Sequence, residues 1–144
     1  MKKIYIVTLF FILILNEMSA QNNVISSFLL KWENSKNYLL EIAESMPEEN
    51  YTYKPTEREM SFQEQLLHIR ANMVWLSSTY FVDENFVKSK KIDPKTKTEI
   101  IKELILAFDN VTNIIQNFPI EDLATEVDFF AGPKSKLQIL DVKK

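Results

Sequence analysis

The sequence predicts an all-α protein, an up-down bundle of three long helices followed by the stub of a fourth. Three observations carry that expectation. The 144-residue chain contains a single glycine, Gly132, whereas sheet-rich and dinucleotide-binding folds use glycine freely in turns and phosphate loops. Three long segments repeat apolar residues at the helical period of about 3.6 residues. Two of those segments open with Ser/Thr-x-x-Glu, the spacing of a capping box, at Ser61–Glu64 and Thr96–Glu99.

Composition narrows the functional classes. One glycine excludes Walker and dinucleotide fingerprints, each of which needs at least two. The absence of cysteine excludes disulfides, thiolate zinc sites and thiol catalysis. A net charge of -3 argues against a nucleic-acid partner, which usually shows as a basic surplus. The length fits one domain.

The N-terminus reads as an address. Lys2 and Lys3 precede Ile4–Leu15, an apolar run broken only by Thr8, and a polar stretch then ends in Ser19-Ala20. This is the layout of a secretory signal with cleavage after Ala20. It divides the chain into a signal peptide at 1–20 and one helical bundle domain at 21–144. The expected location is exported, periplasmic or secreted. The apolar run is shorter than the roughly 20 residues of a spanning helix, so a membrane attachment would require the signal segment to remain uncleaved.

The first helix is expected over Val24–Met46, with Ile25, Phe28, Leu29, Trp32, Leu39, Ile42, Ala43 and Met46 on its apolar stripe, an interruption at Ser35/Lys36, and Pro47 as the stop. Residues 47–60 form a loop packed by its tyrosines. Ser61 opens the second helix, whose stripe is Phe62, Leu66, Ile69, Met73, Leu76 and Tyr80, widened by Leu67, Val74 and Trp75. A helix apolar over so much of its circumference belongs in the middle of a bundle. A lysine-rich connection follows over 82–97 and reads as a solvated loop. Asp93-Pro94 and Thr96–Glu99 offer two alternative starts for the third helix, which carries Ile101, Leu104, Ile105, Phe108, Val111, Ile115 and Phe118 and ends before Pro119. A short helical turn at 120–125, an extended piece at 126–130, a turn at Ala131-Gly-Pro133 and the start of a fourth helix at 134–144 complete the chain. Asn50-Tyr-Thr52 and Asn110-Val-Thr112 match the glycosylation acceptor pattern, which arises readily by chance and is assigned no role.

His68 is the only histidine, and it decides what chemistry the residues permit. It follows Leu66-Leu67 and precedes Ile69, close to the apolar stripe. Periodicity alone admits a hydrogen-bonded structural histidine at a helix–helix boundary or a metal ligand or acid–base group inside a bundle. Glu64 is one turn before it and could be a second ligand, but the capping box claims the same carboxylate. Glu44, Asp83 and Asp109 are further carboxylates that no spacing selects. Structural and catalytic zinc sites take three or four protein ligands, and no catalytic residue is assigned. Trp32, Trp75, Phe62 and the tyrosines could line a pocket, though aromatics at helical spacing are expected in the core.

The order of features is similar to one known family. Trp32, the helix end Ile42-Ala-Glu-Ser-Met-Pro47, Tyr53-Lys-Pro55 and Ser61-Phe-Gln-Glu-Gln-Leu-Leu-His68-Ile are followed by Val127-Asp-Phe-Phe130, Gly132 and Lys136-Leu-Gln-Ile-Leu140. Together they resemble the DinB-like (DinB/YfiT) superfamily across nearly all of residues 21–140. The resemblance implies a four-helix bundle and, in many members, a divalent zinc or nickel ion held by three histidines in metal-dependent hydrolases or thiol transferases. His68 matches the ligand on the second helix. The other two come from a His-x-x-x-His motif on the last helix, and no second histidine occurs here. The sequence stops at Lys144, about where that motif is expected, so its ending reads as truncated. The expectation is therefore a metal-binding relative with an incomplete site. The alternative is a non-enzymatic helical binding or self-associating module, whose open apolar helix faces take a partner helix or form a homodimer.

Overall fold

The computed structural model describes residues 2–82, 93–94 and 96–141, with side chains from Val24 onward. It contains helices α1 (Lys2–Ser45), α2 (Phe62–Phe81), α3 (Lys97–Gln116) and α4 (Lys136–Leu140), together with a two-stranded ladder of β1 (Glu126–Val127) and β2 (Lys134–Ser135). The all-α class holds. Contacts divide the chain into two units, Lys31–Asn117 and the segments Met1–Leu30 with Phe118–Lys144.

Helix α1 ends in the first unit where the sequence places its stop, but it begins well before Val24, in the segment assigned to the second unit. The reason is local: no glycine or proline occurs before Pro47, so nothing breaks the helix. The expected interruption of its stripe at Lys36 is filled by an ion pair to Asp109 on α3. Four residues earlier, the Trp32 indole donates to the Phe108 carbonyl at 3.2 Å, and the Trp32 and Phe108 rings lie 4.9 Å apart.

Both capping boxes form. Ser61 and Glu64 exchange hydrogen bonds at the start of α2, and Thr96 and Glu99 do so at the start of α3. The second box excludes Asp93-Pro94 as the helix start. Thr96 accepts from the Glu99 amide in a way that Asp93 cannot reproduce without shifting the register, and Lys97, expected in the connection, becomes the first residue of α3. The helix ends at Gln116, just short of Phe118, where the Asn117 side chain donates to the Asn113 carbonyl at 2.8 Å.

The core of this unit lies between helices. It comprises Ala43 from α1, Leu66, Met73, Val74, Tyr80 and Phe81 from α2, and Ile100, Leu104, Ala107, Phe108, Val111 and Ile115 from α3. Tyr51 identifies which helix ends meet. Its hydroxyl reaches the end of α1 at Ala43, its carbonyl accepts from Gln63 at the start of α2, and its ring lies under Lys97 at the start of α3. Hence α1 runs towards this end and both α2 and α3 run away from it. The antiparallel pairing expected of an up-down bundle holds for α1, while α2 and α3 run in the same direction, and the long connection over 82–96 is what lets the chain return to the same end. Most of that connection, with Asp83, Lys88, Lys90, Lys91 and Lys95, lies outside the described residues, as does the expected continuation of the fourth helix over 142–144.

In the second unit, Ile120–Ala124 forms a 3₁₀ turn after Pro119. β1 and β2 pair antiparallel, with Glu126 opposite Ser135 and Val127 opposite Lys134. Gly132 supports the reversal between them at φ 100°, a conformation that side chains resist, and its amide donates to Phe129 at 2.8 Å. A third capping box, Ser135–Gln138, opens α4. Lys136 links α4 back through its amide to the Thr125 carbonyl at 3.0 Å and places its ammonium 4.8 Å from the centre of the Phe118 ring.

Candidate functional site on helix α2

The buried side of α2 is set by Leu66, Met73, Val74, Ser77, Tyr80 and Phe81. His68 is two residues beyond Leu66, about 200° around the helix axis at 100° per residue, and the structure places it on the exposed side. The expectation of a boundary histidine beside the apolar stripe is thus corrected. Sequence adjacency to Leu66, Leu67 and Ile69 does not mean a shared face, because the core side of α2 turns towards α3. The His68 ring is held by Asn72, one turn later, with Asn72 Nδ2 and His68 Nε2 3.1 Å apart. With the amide donating, Nε2 is the acceptor and Nδ1 carries the proton in the neutral ring. Trp75, seven residues after His68, lies on the same side and is 46% exposed. It is a surface residue here, where the sequence placed it on the wide apolar face.

Glu64 serves the cap. Its Oε2 accepts the Ser61 amide at 2.7 Å and faces the Lys54 ammonium at 3.3 Å. The hydrogen bonds from the Ser61 amide and hydroxyl, then the contact with Lys54, hold its carboxyl below the ordinary range. Asp109 is occupied by Lys36. Glu44 is exposed near the end of α1, and Asp83 is outside the described residues. Among the described residues no group of three or more His, Cys, Asp and Glu side chains could hold a metal ion. Among the described residues the donor set therefore does not fit a three-ligand centre. Among them, too, no helix is long and apolar enough to cross a membrane.

Three polar arrangements were not foreseen. Arg70 on α2 pairs with Glu103 on α3 at 3.1 Å, with side chains only 15% and 24% exposed, and its buried Nε finds no partner. Lys97 donates its ammonium to the Glu44 and Met46 carbonyls at 2.6 and 2.8 Å, capping α1 from the start of α3. Tyr51 donates to Ala43 at 2.6 Å. The Ser135–Gln138 box was readable as Ser-x-x-Gln, but the other contacts join residues too distant in sequence for any local pattern to reveal them.

The family model of the DinB superfamily matches residues 31–142. The match spans well over half of the chain, all of α2 and α3, and the His68 position. The chain belongs to the DinB superfamily. A comparison with curated proteins gives no match.

Proposed function

We propose that this chain is an exported DinB-superfamily protein in which His68 stands at a divalent-metal position that the described residues leave incomplete, so that metal-dependent catalysis is impaired. The observation that supports this reading is the setting of His68. It is exposed on α2, its ring is hydrogen-bonded to Asn72, and the nearest candidate carboxylate on its own helix, Glu64, is committed to the cap. A hydrolase or thiol transferase built on a metal needs three protein ligands and an open position for water or thiolate, and His68 supplies one ligand. Export rests on the signal layout at 1–20. The proposal is tested by intact-mass measurement on protein purified from cells expressing the full-length chain, which should show loss of residues 1–20, and by zinc and nickel titration of that protein beside His68→Ala. Cleavage with weak uptake that the substitution removes is the expected result. Tight binding indifferent to His68 would overturn the metal assignment, and retention of residues 1–20 would overturn export.

A second reading is a non-enzymatic helical module that associates with itself. It is favoured by the exposed side of α2, where Trp75 and His68 lie together without charged neighbours between them.

A further inference from the structure

Within the first unit, α1 is held differently from α2 and α3. Those two pack closely on each other and bury residues along most of their length, from Leu66 to Phe81 and from Ile100 to Ile115. Between Lys31 and Ser45 of α1, Ala43 is the one buried residue, and its methyl group removes little apolar surface from water. Trp32, Leu39 and Leu40 are only partly covered, and Tyr38 is 68% exposed. The links that fasten this stretch are polar and form two groups. In one, Trp32 donates to the Phe108 carbonyl and Lys36 pairs with Asp109, whose side chain is 56% exposed. In the other, Tyr51 donates to the Ala43 carbonyl and Lys97 to the carbonyls of Glu44 and Met46.

The chain just after α1 is fastened separately. The Tyr51 and Tyr53 carbonyls accept the Gln63 and Phe62 amides at 2.9 and 3.0 Å, and the Glu48 carboxylate accepts the Lys97 amide at 3.2 Å. Residues 48–53 are thereby tied to the starts of α2 and α3. Between them and α1 stands Met46-Pro47, past the last helical residue, where Pro47 has no N–H to continue the ladder. Rotation at Met46-Pro47 breaks the two groups of polar links and leaves those of residues 48–53 in place. Segments with little apolar burial and solvent-accessible polar links open at a lower free energy than the whole fold. We propose that Lys31–Ser45 is a hinged cover that lifts from the α2–α3 pair as a unit, with Met46-Pro47 as the hinge and Tyr51 and Lys97 as the catch. Lifting uncovers the Phe108 ring, against which the Trp32 ring packs at 4.9 Å.

Native-state hydrogen exchange of the purified protein, followed residue by residue at low urea, tests the cover. Amides near the end of α1 should exchange at least about a hundredfold faster than those in the middle of α2 and α3. Two substitutions separate a lifting helix from a general loosening. Lys97→Met keeps the apolar stem and removes the ammonium. Its bonds are lost both when α1 lifts and when the unit unfolds, so exchange should speed at least about tenfold in all three helices. The Arg70–Glu103 pair joins α2 to α3 and survives the lifting of α1. Glu103→Leu should therefore speed exchange about thirtyfold in α2 and α3 and leave α1 unchanged. Equal protection of the three helices overturns the cover, and so does Glu103→Leu speeding α1 in step with α2 and α3. Neither outcome depends on export or on metal at His68.

Discussion

Replacing Tyr51 with phenylalanine tests how the end of α1 is closed. In a continuous helix the Ala43 carbonyl would accept the amide four residues later, but that residue is Pro47, which has no N–H. Ala43 is fully buried, so water is a poor substitute. The Tyr51 hydroxyl supplies the missing donor at 2.6 Å. Tyr51→Phe keeps the ring, which meets Phe62 edge-on at 5.1 Å, and removes only the bond. Leaving a buried acceptor unsatisfied costs about 1–3 kcal/mol, so we expect a loss of about 2 kcal/mol in urea unfolding with the slope unchanged. A loss below ~0.5 kcal/mol, the level of an ordinary surface substitution, would refute the reasoning. The same residue gives a pH arm. Burial first, then the Glu48 and Glu44 carboxylates, raise the Tyr51 phenol above its ordinary value of 10.0. A raised value in the folded state means that this contribution is complete below pH 10.0 and is lost as pH climbs through the folded value. The tyrosine protein should therefore lose stability above that pH more steeply than Tyr51→Phe.

Further outcomes follow from other contacts. Glu64 has a lowered carboxyl, so its capping contribution is present above the ordinary value of 4.5 and fades as pH falls through the folded value; Glu64→Gln, which keeps an acceptor for the Ser61 amide, should flatten the pH dependence of stability in that acid window. Glu103→Leu strands the Arg70 guanidinium, whose side chain is 15% exposed, and should cost about 2 kcal/mol in denaturant unfolding. Adding Arg70→Met should recover most of that loss, because removing both partners of a largely buried pair is often near neutral. Leu104 is fully buried in α3, and Leu104→Ala should cost about 2–5 kcal/mol by the same measurement.

The long helices were legible because their determinants are local. Ser61–Glu64 and Thr96–Glu99 are three-residue spacings, and both formed their boxes. The apolar period found Leu66, Met73 and Tyr80 on one side of α2 and Leu104, Phe108, Val111 and Ile115 on one side of α3. The limits of that pattern show at Trp75 and His68. An apolar or aromatic residue beside a stripe is counted with it, yet whether it is covered depends on which neighbour turns towards it, and α3 covers only one side of α2. The parallel direction of α2 and α3 was equally hidden, since it is set by where Tyr51 and Lys97 meet. The site was legible as a position and no further. His68 was recognisable from its motif, and its bond to Asn72 is a local contact one turn along α2, but its exposure comes from the rotation of α2 against α3.

The most direct test of the account is calorimetric titration of zinc into the purified protein and into His68→Ala, after removal of bound metal. The account predicts weak uptake without stoichiometric saturation in the micromolar range, abolished by the substitution, because one imidazole falls short of a three-ligand site. Stoichiometric binding at submicromolar zinc would contradict it.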